Sequence, residues 1–318
     1  MLKKKKICVV VPAYNEEKLI GEVIQTMPAF VDLIIVVDDQ STDQTVPQAL
    51  QSAKKFHKKV AIVKNPRNLG VGAAIATGYK QAIIHKMNVV AVMAGDAQMA
   101  AEELKSIVLP VVKYEADYVK GNRLTYRQAW KIMPKMRYLG NSVLSLLTKI
   151  ASGYWHVADS QTGYTAVSRT ILEKIDLESL YPRYGFPNDM LVCLNVAQAR
   201  VKEIPIRPVY HPGGKSGIRL WKVVPTISWL LLRRFFWRLK VKYIIEDFHP
   251  LVFFYCLAII LFLASLFLLV RLIYLWVQFG YIPPINALAL VFCVIMTTQF
   301  LFFAMWFDMD YNKDLKVK

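Results

Sequence analysis

Short apolar, β-branched runs alternate with longer stretches rich in helix formers through the N-terminal part of the chain. The runs are ICVVV (7–11), LIIVVD (33–38), VAIV (60–63), VVAVM (89–93) and ADYVKG (116–121), and each stops at polar residues. Between them lie 16–27, 43–56, 70–86 and 101–114, which have the composition of helices. Strand–helix alternation at this spacing predicts a mostly parallel sheet with helices across its faces. The runs show no polar alternation, as expected of strands buried on both sides. Ser41 and Gln44 stand at capping-box spacing, which predicts a helix start just after the second strand.

The pattern changes toward the C-terminus. Residues 251–270 and 287–307 are two uncharged apolar runs, each long enough to cross about 30 Å of hydrocarbon as a helix. The intervening QFGYIPPIN contains Gly280, Pro283 and Pro284, which break a helix. Two spans joined by a short turn form a hairpin whose ends lie on one side. Arg233, Arg234, Arg238, Lys240 and Lys242 precede the first span, and Lys313, Lys316 and Lys318 follow the second. The turn has no basic residue, and Arg271 is the one exception at that end. This bias predicts that the N-terminal part and both termini are cytoplasmic. Lys3 to Lys6 resemble the start of a signal peptide, but ICVVV is too short for its apolar core and reads as a buried strand.

Composition sharpens this picture. The chain has 318 residues, a formal net charge of +17 and 55% hydrophobic residues, with a mean hydropathy of +0.32. That much apolar surface excludes disorder, and a soluble nucleic-acid binder would rarely be so apolar. Cys8, Cys193, Cys256 and Cys293 lie in apolar runs and read as small buried hydrophobes in a reducing compartment. Residues 219–242 hold seven basic residues and no acidic one, interleaved with Trp221, Trp229, Phe235, Phe236 and Trp237. Such a segment suits the membrane interface. The charge therefore points to membrane and phosphate, with no nucleic-acid partner. The expected organisation is a cytoplasmic domain over 1–218, a basic interfacial segment over 219–249, and a membrane hairpin over 250–318 with spans at about 251–273 and 287–307.

Candidate chemistry sits at the carboxyl ends of the predicted strands, where open α/β sheets bind ligands. These ends carry Pro12-Ala13-Tyr14-Asn15-Glu16, Asp38-Asp39, Asn65-Pro66-Arg67-Asn68 and Gly95-Asp96-Ala97-Gln98. Carboxylates there can accept hydrogen bonds from ribose hydroxyls or a base N–H. The planar fork of Arg67 suits a diphosphate. Asp96 and Gln98 can offer two oxygens to Mg²⁺ or Mn²⁺, with substrate phosphates completing the shell. No P-loop or G-x-G-x-x-G occurs, which counts against NTPase and dinucleotide-binding readings.

VVPAYNEE, IIVVDDQSTDQT, NPRNLGVGAA, GDAQ and DSQTGYTAVSR, in that order, resemble family 2 glycosyltransferases of the GT-A fold. The resemblance is closest to the branch containing dolichol-phosphate mannose synthase and bacterial polyprenyl-phosphate glycosyltransferases. It covers residues 5–220 approximately and implies an α/β GT-A domain, a divalent metal, and inverting transfer of a sugar from a GDP- or UDP-sugar to a polyprenyl phosphate. By position it implies that Pro12, Tyr14, Glu16, Asp38, Asp39, Arg67 and Asp96 bind the nucleotide sugar. Asp96 and Gln98 would hold the metal. Arg123, Arg137 and Asn141 would contact the acceptor phosphate, as would His211 or Lys215. Asp159 and Asp189, together with Asp96, are the catalytic candidates.

The chain departs from the family pattern at two places. Ala94-Gly95-Asp96 lacks the first carboxylate of the usual Asp-x-Asp, so a metal would depend more on the diphosphate. His211 stands where lipid-phosphate enzymes often carry arginine, leaving Lys215 to supply the charge. A phosphate acceptor is already anionic and needs positioning more than a base. A hydroxyl acceptor needs a base, for which Asp189 and then Asp159 are the candidates. Two alternatives therefore remain beside the lipid-phosphate reading: transfer to a hydroxyl acceptor, and a membrane-anchored nucleotide-sugar binder without catalysis.

Overall fold

The computed structural model describes residues 2–126, 135–209 and 220–317, without the side chains of residues 136, 137 and 220–223. The side chain of Arg137, and both His211 and Lys215, lie outside the described residues. The chain falls into two units, 1–235 with 314–318, and 236–313.

The first unit is built on seven strands: β1 (Ile7–Ala13), β2 (Leu33–Asp38), β3 (Val60–Lys64), β4 (Val89–Val92), β5 (Tyr118–Asn122), β6 (Thr165–Ser168) and β7 (Val201–Pro205). Their order across the sheet is β3-β2-β1-β4-β6-β5-β7. β1 is parallel to β2 and β4, β2 to β3, and β5 to β7, while β6 runs antiparallel to both neighbours. Helices α1 (Ile20–Thr26), α2 (Thr45–Lys55), α3 (Val71–Ile84) and α4 (Leu104–Val112) fall in the gaps expected from the sequence. They are followed by α5 (Lys135–Ser152), α6 (Arg169–Leu172), α7 (Phe186–Val196) and α8 (Leu220–Lys240).

All seven residues of β1 are buried, because helices cover both faces and the strand is flanked by β2 and β4. One layer of core joins Val9, Val11 and Val36 to Leu104, Ile107 and Val108 of α4. On the opposite face α3 lies so close to β1 that a Cβ on Gly78 would come within 2.2 Å of Val10 Cγ1. The short strands β6 and β7, TAVS and VKEIP, carry too few apolar residues to stand out from sequence. Their place is decided by pairing. The last residues of the chain belong to this unit as well, where Val317 N–H donates to the Val201 carbonyl of β7 at 3.2 Å.

The expected capping box after β2 does not form. The α2 N-cap is Gln44, with no side-chain cap bond. Asp43 takes that task, accepting from Thr45 N–H at 3.0 Å and from its hydroxyl at 2.5 Å. Ser41 instead accepts from Asn15 N–H at 3.0 Å, and Asn15 Oδ1 accepts from Thr42 N–H at 2.9 Å. These bonds tie the loop after β1 to the loop after β2.

The second unit contains α9 (Leu251–Phe279) and α10 (Pro284–Tyr311). Both are long and apolar enough to cross a membrane. Gly280 ends α9 in the left-handed conformation, with φ +63°, and Pro283-Pro284 start α10, so the break falls where the sequence places it. Arg238 and Lys242, read from sequence as flanking surface charges, are buried in this unit. Arg238 pairs bidentately with Asp308 at 2.7 and 3.1 Å, and Lys242 Nζ donates to Asn312 Oδ1 at 2.7 Å. Tyr243 donates its hydroxyl to the same Asp308 at 2.5 Å. A buried charge needs such partners to offset lost hydration.

Candidate active site

Strands β2 and β3 extend to one side of β1, and β4 lies on the other. The order therefore reverses at β1 and β4, and their carboxyl ends diverge to leave a crevice. A cleft of about 390 Å³ opens there, lined by Pro12, Tyr14 and Glu16 after β1, Asp39 after β2, and Ala94 to Asp96 after β4. Asn68, Gly70, Val71 and Ala74 line it at the start of α3, with Arg183 and Tyr184 closing one wall. Asn15, Gln40 and Ala97, one in each of the three strand-end turns, have φ of +56°, +66° and +53°. Left-handed non-glycine residues store about 1–3 kcal/mol each and cluster where a surrounding scaffold holds a site.

Asp39 is 3% exposed. Its carboxylate accepts from Asn65 Nδ2 at 2.8 Å, Leu69 N–H at 3.0 Å and Gly70 N–H at 2.7 Å. It thus draws the 65–70 loop onto the end of β2 while bordering the cleft. Asp38 does not line the cleft; its Oδ1 accepts from Ser41 N–H at 2.9 Å. Asp96 lines the cleft and its Oδ1 accepts from Gln98 N–H at 3.1 Å, whereas Gln98 is not among the lining residues. Burial, then the charges of Asp96 and Asp43, push the Glu16 carboxyl up to about 7. Glu16 and Asp96 are therefore close enough to repel, an arrangement that a bound cation relieves. Among the described residues no group of three or more His, Cys, Asp or Glu side chains could hold a metal by itself.

Sequence reasoning assigned the diphosphate to Arg67. That residue is exposed and does not line the cleft. Among the described residues, the arginine that does is Arg183, from a segment far along the chain. Tyr14 and Tyr184, 47% and 52% exposed, offer two aromatic faces to the same space, and such faces stack on planar rings. The glycines of NLGVG have a role that local pattern did not disclose. A Cβ on Gly70, whose φ is +100°, would meet the Pro182 carbonyl at 2.7 Å, and one on Gly72 the Tyr181 carbonyl at 2.3 Å.

Arg123, Asp159 and Asp189 lie elsewhere. Arg123 Nε and Nη2 grip Asp159 at 2.8 and 3.0 Å, and its backbone N–H donates to the same carboxylate at 3.1 Å. Burial works against the Asp159 charge, but the Arg123 guanidinium outweighs it and holds the carboxyl below its usual range. Lys120 and Glu203, which the sequence did not single out, complete this buried group. Burial lowers Lys120 to about 8, and its Nζ donates to the Thr162 carbonyl at 2.6 Å. Glu203 accepts from Ala158 N–H, Asp159 N–H and Asn122 Nδ2 at 2.8–3.0 Å.

Asp189, fully buried, is ion-paired with Arg234 of α8 and accepts from Tyr181 N–H at 2.7 Å. Burial opposes the Arg234 charge, and Asp189 raises it back, keeping the guanidinium protonated. Both carboxylates expected to act as bases are thus committed to arginines. Asn141 stands half-buried on α5, on the face opposite an exposed apolar stripe of Leu139, Val143 and Leu146.

Comparisons with known proteins bear on this arrangement. The family described as "Glycosyl transferase family 2" matches residues 8–176. A UDP-N-acetylglucosamine–dolichyl-phosphate N-acetylglucosaminyltransferase of Methanococcus voltae is 31% identical over 218 residues, 65% of this chain and 86% of that protein. A dolichol-phosphate mannosyltransferase of Pyrococcus furiosus is 25% identical over 226 residues, covering 67% of this chain and 59% of the relative. The crystal structure of glucosyl-3-phosphoglycerate synthase from Mycobacterium tuberculosis, in complex with Mn²⁺, UDP-glucose and phosphoglyceric acid, superposes with a TM-score of 0.55. It shares 21% identity over 75% of this chain and 81% of that one, a likeness of fold.

Proposed function

The chain belongs to glycosyl transferase family 2, and we propose that it moves a sugar, with inversion, from a nucleoside diphosphate sugar to a membrane polyprenyl phosphate. The observation that carries this reading is the cleft at the β1–β4 crevice, where Glu16, Asp96, Arg183 and two exposed tyrosines share one space. The relatives that act on dolichyl phosphate name the acceptor class. Tyr14 and Tyr184 receive the base, Asp39 borders the ribose, and Arg183 takes the diphosphate with its fork. The neighbouring carboxylates of Glu16 and Asp96 fit Mg²⁺ or Mn²⁺, with Asp96 as ligand and donor phosphates completing the shell. When bound, the ion neutralises charge on the departing diphosphate.

An acceptor phosphate oxygen attacks the anomeric carbon, the bond from that carbon to the diphosphate oxygen breaks, and nucleoside diphosphate leaves. No proton need be removed from a phosphate anion. That agrees with Asp159 and Asp189 being bound to arginines, which removes the two carboxylates that the sequence offered as bases for a hydroxyl acceptor. The exposed apolar stripe Leu139, Val143 and Leu146 of α5 suits a lipid-linked substrate. Both ends of the α9–α10 hairpin lead back to the first unit in sequence, through α8 and through residues 314–318. This supports both termini lying on one side of the membrane, and the basic residues flanking the hairpin favour the cytoplasmic side for them and for the catalytic unit.

The test is to incubate membranes containing the full chain with labelled UDP- and GDP-sugars and polyprenyl phosphate. Label should enter the lipid phase as an acid-labile glycosyl phosphate, and Asp96→Asn should abolish it. Failure with every donor would remove the proposal.

A further inference from the structure

We infer that Arg234, on the basic helix α8, is a positioning residue that holds the Arg183–Tyr184 wall of the cleft in place. The wall is the segment 179–185. On its inner side it is seated on α3, where Ala73 N–H donates to the Pro182 carbonyl at 3.0 Å. Gly70 and Gly72 permit this approach by lacking a Cβ. On its outer side it is gripped from α8. Arg234 Nη2 donates to the Ser179 carbonyl at 2.7 Å and to Asp189 Oδ2 at 2.9 Å, and its Nε pairs with Asp189 Oδ1. Asp189 Oδ2 in turn accepts from Tyr181 N–H at 2.7 Å. Leu230, one turn earlier on α8, sits where a Cβ on Gly185 would come within 2.7 Å of its Cδ2.

Removing an arginine and an aspartate from water is costly, and an apolar contact of the same size would hold two elements together equally well. What the pair adds is direction. Its two planar groups bond backbone atoms of residues 179 and 181 at fixed angles, immediately before the two side chains that enter the cleft. Asp189 is then neither base nor nucleophile. It is the piece through which α8 orients the donor wall. The sequence FPND and the basic run of α8 are joined by this contact, although 45 residues separate them.

The inference rests on the cleft being the donor site, so the experiment keeps the two apart. The full chain in lipid nanodiscs is titrated with UDP and GDP by calorimetry, and rates are measured against donor and acceptor. Wild type is compared with Arg234→Lys and with the double variant Asp189→Asn/Arg234→Gln, which leaves no lone buried charge. Amide exchange is followed over 179–185.

The double variant should weaken nucleotide binding and raise donor KM roughly tenfold, with acceptor KM within about twofold and faster exchange of the Tyr181 amide. Arg234→Lys keeps the charge without the fork and should fall between. Unchanged donor KM overturns the inference. So does a parallel rise in donor KM and acceptor KM with a lower melting temperature, which would mark a purely structural pair. Wild type that binds neither nucleotide would sink the donor-site reading, and exchange over 179–185 then decides the role of Arg234 by itself: unchanged exchange in the double variant overturns it.

Discussion

Glu16 is the side chain whose chemistry the cleft alters most. Its carboxyl, ordinarily near 4.5, is raised to about 7 by burial and by the charges of Asp96 and Asp43. Between those values the folded chain keeps a proton that the unfolded chain has released, so this group's contribution to stability declines as pH rises through the window. Ligand binding runs the other way, because ionised Glu16 adds charge for a cation. Mn²⁺-dependent nucleotide binding should tighten between about pH 6 and about pH 8, and Glu16→Gln should flatten that profile while removing the stability loss. Calorimetric titrations across pH check it; an unaltered profile in the variant assigns the proton elsewhere. Carboxylates after strands were visible in the chain as strings such as VVPAYNEE and VVDD. Arg183 was not, since nothing local in YPRYGFPND says that its loop returns to α3.

At the scale of elements, the site depends on close approach between α3 and its neighbours. Gly72 has the Tyr181 carbonyl and Phe186 Cβ where its own Cβ would stand, at 2.3 and 2.7 Å. Gly72→Ala must move the wall, and overpacking of this kind costs about 1–3 kcal/mol. A lower melting temperature together with weaker nucleotide binding is expected. Gly140→Ala on α5, with nothing within 4 Å of its would-be Cβ, serves as the control and should match or slightly exceed wild-type stability. The first strands and helices were legible because burial on both faces removes polar alternation over whole runs. The capping box after β2 was misread because Ser41 and Asp43 bond backbone atoms of the loop after β1, which a local pattern does not contain.

For the whole molecule, two apolar helices with a glycine–proline break define a hairpin by length and composition alone. If it spans as proposed, the chain should resist extraction by alkaline carbonate, and tags at both termini should be digested only by protease on the cytoplasmic face. A protected C-terminal tag beside an accessible N-terminal one would reverse the hairpin reading. The sequence alone determined the alternation of the first five strands with four helices, the polar character of the strand ends, and the two long apolar segments. Each of these depends on neighbours within a few turns of chain. Tertiary structure alone decided which charges remain available. Arg123 with Asp159, Asp189 with Arg234, and Arg238 with Asp308 are separated by 36, 45 and 70 residues. Desolvation makes each of them seek a partner, but only sheet order and helix packing determine which partner lies within reach.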